Sequence, residues 1–163
     1  DREIIGTPFP DLQYSFNLGA RYQGFDIYAF FQGIEGISRY HWINTEANGQ
    51  GSFTKTALDY WTEDNRDAPT PRWGNLTNNT AWSSFWLKDA SYLRLKNLEV
   101  GYTLPSDLTN KVSINKARIY FSGINLLTWT ELDDYDPEKL TGDNRNRDYP
   151  KAKVYSVGIN VTF

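Results

Sequence analysis

Few of the 163 residues have side chains whose type and spacing suit a reaction. The chain has one histidine, His41, and no cysteine. A lone imidazole with no Ser or Cys arranged around it makes no nucleophilic site. Without cysteine, neither a thiolate metal centre nor a disulfide framework can form. The carboxylates Asp133, Asp134, Asp136 and Glu138 crowd one polar stretch and invite a calcium-loop reading. Calcium loops need a ladder of oxygen ligands at set positions and a turning glycine, and that spacing is missing, so a solvated turn is the simpler reading. No catalytic residue, metal or cofactor is expected, and the chain is not expected to be an enzyme. Aromatic side chains offer more. They make up 16% of the chain, and five of its six tryptophans (Trp42, Trp61, Trp73, Trp82 and Trp86) fall within residues 34–90. Flat apolar rings pack against sugar faces, so Trp61 and Trp73 are candidate ligand-stacking residues. The plainer role for the same rings is to anchor a long loop by burial. Asn75-Leu76-Thr77 and Asn78-Asn79-Thr80 fit the glycosylation sequon, a short pattern that also arises by accident.

The elements that must position these residues show themselves by period-two alternation. From Leu12, the even positions Leu12, Tyr14, Phe16, Leu18, Ala20 and Tyr22 are mostly apolar. The odd positions Gln13, Ser15, Asn17, Gly19, Arg21 and Gln23 are polar, which makes a two-faced strand over 12–22. Gln23-Gly24 then offers a tight hairpin turn into a second strand over 25–33, with Phe25, Ile27, Ala29 and Phe31 on one face. A third strand is expected over 91–104, with Leu98, Val100, Tyr102 and Leu104 in phase. Leu93 and Leu95 sit in the opposite phase, which calls for a bulge or a protein-covered end. Pro105 stops that strand. A fourth runs over about 117–130, its phase imperfect around Gly123, and a fifth over 151–163. In the fifth, Tyr155, Val157, Ile159, Val161 and Phe163 face one way and Ser156, Gly158, Asn160 and Thr162 the other.

The connections alternate short and long: 23–24, then 34–90, then 105–116, then 131–150. An antiparallel membrane barrel predicts this order, with short periplasmic turns and longer extracellular loops. A strand of about 11 residues is roughly 36 Å long at about 3.3 Å per residue. Tilted by about 45°, it rises ~25 Å, the height of the apolar band of an outer membrane. The negative mean hydropathy does not conflict with a barrel, because only one face of each strand is apolar and the loops are polar. A net charge of −3 is too mild for a nucleic-acid surface. No apolar run approaches the 18 or so residues of a membrane helix, and no secretory leader is legible at the start. Methionine is absent altogether, so the chain is expected to be a piece of a longer protein. Pattern alone keeps a second architecture open, a secreted all-β carbohydrate-binding module built as a sandwich.

Several stretches carry a family resemblance. Residues 89–105, DASYLRLKNLEVGYTLP, and 121–129, FSGINLLTW, are similar to two consecutive strand motifs of the SusC/RagA family of TonB-linked outer-membrane transporters. Asp136-Pro137-Glu138, Tyr149-Pro150 and the closing Gly158–Phe163 segment resemble that family's next loop and last strand. Gly6, Pro8 and Pro10 resemble its lead-in to a barrel strand, and Trp61 and Pro71-Arg72 its loop motif, with Arg66 after Asn65 where proline is common. The resemblance implies an all-β fold: the C-terminal part, about five strands, of a large plugged transmembrane barrel of roughly 22 strands. It implies a cell outer-membrane location, a periplasmic C-terminus and nutrient uptake, the cargo being glycan or peptide. The partners implied are the remainder of the same barrel and its plug, a SusD-like surface lipoprotein, TonB and outer-membrane lipid. The alternating residues Tyr155, Val157, Ile159, Val161 and Phe163 resemble the signal read by the barrel assembly machinery, whose physical basis is strand addition to an unpaired backbone. Phe163 also suits an interfacial aromatic girdle.

Overall fold

The computed structural model describes residues 3–40, 55–74, 79, 81–132, 135–138 and 150–163. His41, Trp42, Asp133, Asp134, Tyr149 and most of the two sequon stretches lie outside the described residues. The chain divides into two compact units. One gathers Pro10–Glu35, Ser91–Thr130 and Lys151–Phe163; the other gathers Asp1–Phe9, Gly36–Ala90 and Glu131–Pro150.

The first unit is one antiparallel sheet of five strands, in the order β1-β2-β5-β6-β7. These are β1 (Leu12–Tyr22), β2 (Phe25–Glu35), β5 (Tyr92–Thr103), β6 (Lys116–Thr130) and β7 (Val154–Thr162). Compared with the sequence reading, β2 runs two residues further, to Glu35, and β7 begins at Val154 rather than 151. The β1–β2 turn has φ of 46° at Gln23 and 85° at Gly24, both in the left-handed region. Two positive φ values match a type I′ turn, whose twist suits a hairpin. A Cβ at Gly24 would lie 2.9 Å from the Thr103 carbonyl oxygen, so space as well as φ demands glycine.

Register places the apolar positions of every strand on one face. Tyr22, Phe25, Tyr102, Ile119 and Ile159 are consecutive cross-strand partners, as are Ala20, Ile27, Val100, Phe121 and Val157. The phase change in the third strand is a bulge: Asn97 pairs with Phe30 but Leu95 with Phe31, so the ladder register skips Lys96. β6 compensates opposite it, since Ile124 pairs with Asn97 and Leu127 with Leu95, with Asn125 at φ 54° between them. Asn tolerates the left-handed region better than most residues. The paired irregularity returns Leu93, Leu95, Leu127 and Trp129 to the apolar face.

That face carries an aromatic band near each end. Phe25 and Tyr102 lie with ring centroids 4.5 Å apart at the hairpin-turn end. Phe16 stacks on Phe31 at 4.8 Å, and Phe31 lies 6.5 Å from Trp129 towards the other end. From Tyr14 to Tyr22 the strand extends about 26 Å along its own axis. The face is exposed: Leu18 is 57%, Ile159 65% and Val157 77% accessible. A soluble sandwich buries such a face under a second sheet. Among the described residues the other ladder is only the three-residue pair β3 (Ser38–Tyr40) and β4 (Leu87–Asp89), which belongs to the other unit.

The second unit corrects the reading of 34–90 as one long loop. β3 (Ser38–Tyr40) pairs antiparallel with β4 (Leu87–Asp89). Single 3₁₀ turns stand at Lys55–Leu58 and Ser84–Trp86. A small core of Ala57 and Trp86, flanked by Tyr40 and Trp73, holds this unit together. Runs of three residues are too short to show alternation, which is why this ladder left no pattern in the sequence.

Candidate functional site

The apolar face can meet lipid or another apolar surface, so polar recognition falls to the opposite face of the sheet. Its centre is Arg118 on β6. The Arg118 guanidinium donates from Nε to Asp26 Oδ1 at 3.0 Å, pairs through Nη2 with Asp26 Oδ2, and donates from Nη2 to Glu99 Oε1 at 2.7 Å. It spans β5 because Gly101 leaves room beneath it: a side chain there would collide with the guanidinium. Its Cζ stands 5.2 Å from the centroid of the Tyr120 ring, and that ring in turn lies over Gly158 on β7. Cation–π contact and two carboxylates therefore hold one arginine across β2, β5 and β6.

Further along the same face, the Tyr28 hydroxyl donates to Asn17 Oδ1 at 2.7 Å. Arg94, 4% exposed, donates from Nε to Thr128 Oγ1 at 2.8 Å, with its Cζ 5.7 Å from the Tyr92 centroid. A shallow recess lined by Arg21, Tyr28, Glu99, Lys116 and Arg118 opens beside the β1–β2 turn. These groups can exchange hydrogen bonds and ion pairs with a polar surface. With Phe25, Ile27, Ala29 and Phe31 on one face, alternation leaves Asp26 and Tyr28 on this one, but the sequence did not reveal the Arg118 cluster. Gly101 on β5 and Gly158 on β7, both paired with Tyr120 of the strand between them, were the available signal.

The residues named from sequence fall in two places. Tyr155, Val157, Ile159 and Val161 lie on the apolar face of β7, opposite Gly123, Phe121, Ile119 and Ala117 of β6. The other edge of β7 has no ladder partner among the described residues, nor has the outer edge of β1. Phe163 follows β7 and is 83% exposed. Trp61 and Trp73 lie in the other unit. The Trp73 indole N–H donates to the Ala57 carbonyl at 3.1 Å, and its ring meets Tyr60 edge-on at 5.7 Å. Trp61 is half-buried, its backbone N–H donating to the Thr70 carbonyl at 2.9 Å. Trp86 donates its indole N–H to the Asn79 carbonyl. The most exposed described indole is Trp82, 72% accessible, its ring 4.2 Å from that of Tyr40. Asp136 accepts the Glu138 backbone N–H at 3.0 Å, a local turn contact.

No family model matches the chain. TonB-dependent receptor P3 of Formosa agariphila is 34% identical over 175 residues, an alignment covering 100% of this chain and 17% of P3. TonB-dependent receptor P26 of the same organism is 31% identical over 185 residues, covering 100% of this chain and 18% of P26. A structure of the RagAB peptide transporter matches with a TM-score of 0.73 at 34% identity, over 98% of this chain and 18% of that one. The RagAB peptide importer in an 'open-open' state matches with the same TM-score at 35% identity, again over 98% and 18%. The chain thus spans about a sixth of the length of the curated relatives it matches.

Proposed function

This chain belongs to the SusC/RagA family of TonB-linked outer-membrane proteins, as a five-stranded piece of the β-barrel, and from that premise we propose that the whole protein is a TonB-dependent importer of bulky nutrients. The observation that carries the reading is the two-faced sheet. An apolar face bounded by aromatic bands suits lipid, and a polar face with an arginine clamped between carboxylates suits a filled lumen. The short connections 23–24 and 104–115 leave the strands at one end, which we take as periplasmic, so that β7 also ends there. The long connections then face outward, towards a SusD-like lipoprotein. A plug fills the lumen, and TonB pulls on it to admit cargo. The free edges of β1 and β7 pair with the remainder of the barrel, because no unpaired strand edge is stable in the hydrocarbon layer. During assembly, Tyr155, Val157, Ile159, Val161 and Phe163 serve as the segment captured by the barrel assembly machinery. Trp73 anchors the loop unit, while Trp61 remains the better candidate of the two for stacking on cargo.

The test is uptake in the bacterium that makes the full-length protein. Deleting its gene is expected to abolish growth on one class of oligomer, peptide or glycan, and deleting TonB is expected to do the same. Unimpaired uptake of every peptide and glycan tested in the gene deletion overturns the importer reading, as does recovery of the full-length protein from the soluble fraction.

A further inference from the structure

The charges in the recess beside the β1–β2 turn do not balance. The recess has a volume of about 830 Å³, and its charged lining residues are Arg21, Asp26, Glu99, Lys116 and Arg118. Three are cations and two are carboxylates, which leaves one positive charge over. The pairing shows which cation is the surplus one. Arg118 binds both Asp26 and Glu99. Arg21 is the direct cross-strand partner of Asp26, an arrangement in which opposite charges attract. Lys116 stands opposite Thr162, which carries no charge. It lies two residues before Arg118 on the same face, about 6.6 Å along the strand, so its neighbour on β6 repels it. Asp26 feels Lys116 at a distance and more weakly than it feels Arg21, while both its oxygens are taken by Arg118. Among the described residues no hydrogen bond or ion pair holds the Lys116 ammonium. Water solvates such a cation well, but covering it with protein is costly unless a carboxylate comes with the cover. The matches span only 17% and 18% of the curated relatives, so most of their length is available to supply that cover.

We propose that this recess is a docking site for the plug, which sets one Asp or Glu carboxylate against Lys116. That single charge neutralises the recess, and Lys116 supplies the contact. The plug as occupant rests on the importer reading; the sign of the docking group rests on the recess itself.

The experiment uses the full-length protein purified in detergent and treated with a water-soluble carbodiimide. This reagent joins a carboxylate to an amine as an amide only where the two touch. After digestion, the linked peptides are identified by mass spectrometry. Lys116 is expected to be joined to an Asp or Glu in the segment ahead of the first barrel strand. Lys116→Glu is expected to lower the melting temperature by a few degrees, and exchanging the linked carboxylate for lysine in the same protein to recover most of that loss. Coupling of Lys116 only to Asp26, Glu99 or a residue of another barrel strand overturns the proposal, as does no coupling at all. So does an exchange that recovers nothing, because the link then reports proximity without attraction. The reaction is repeated with a pool of random acidic pentapeptides. If these replace the protein's own carboxylate on Lys116, the recess is a cargo site and the docking proposal falls. TonB-dependent uptake by a protein whose Lys116 couples to nothing refutes this site and leaves the importer reading standing.

Discussion

The two faces of the five-stranded sheet are built from the same strands and differ by one residue of register. On one, Leu18, Ile27, Val100, Ile119 and Val157 present methyl groups outward, with aromatic pairs near the ends. On the other, Asp26, Glu99 and Arg118 form a charged cluster, and Asn17, Tyr28, Arg94 and Thr128 pair through hydrogen bonds. Much of the apolar face is open, with Leu18, Val157 and Ile159 more than half exposed. The polar face is stabilised internally, by partners on adjacent strands. The difference predicts that charge is tolerated on one side and not on the other.

The sharpest way to break the comparison is one substitution on each side at adjacent positions. In the full-length protein folded into lipid vesicles, Val157→Arg is expected to cost about 2–4 kcal/mol by denaturant titration, as for an arginine near the bilayer midplane. Ser156→Arg, on the polar face, is expected to cost far less; equal losses would mean that the two faces do not meet different media. A smaller effect is expected from Thr128→Val, which removes the acceptor of the Arg94 Nε–H. A hydrogen bond to a charged group is worth about 1.5–3 kcal/mol, and Arg94 is nearly fully buried, so a loss of roughly that size should appear in the same titration. An unchanged midpoint would show that Arg94 finds its stability elsewhere. The smallest effect concerns the Phe16–Phe31 stack. A double-mutant cycle to leucine is expected to give a coupling of about 0.5–1.5 kcal/mol. Zero coupling would reduce that aromatic band to bulk hydrophobicity.

Much of the sheet was legible before any coordinates. Strand β1 occupies 12–22 as the alternation indicates, and the Gln23-Gly24 hairpin has the two positive φ values that such a dipeptide permits. The phase slip between Leu95 and Leu98 indicated a bulge, and Lys96 forms it. The loop unit was far less legible. Its ladder is three residues long, and its tryptophans look alike in sequence although Trp86 is buried and Trp82 open. Trp73 was named as a stacking candidate, yet its indole N–H is bound to the Ala57 carbonyl.

Sequence by itself determined where the long strands run and which residues share a face, because side-chain parity is a local property of an extended backbone. Only the tertiary structure decided which strands pair and in what register, and therefore that Arg118 meets Asp26, 92 residues away, and Glu99. Only it showed that Arg39 stands opposite Lys88, with its Nε and Nη2 buried. Long-range partners depend on loop closure and on bulges that shift register, and neither leaves a periodic trace along the chain.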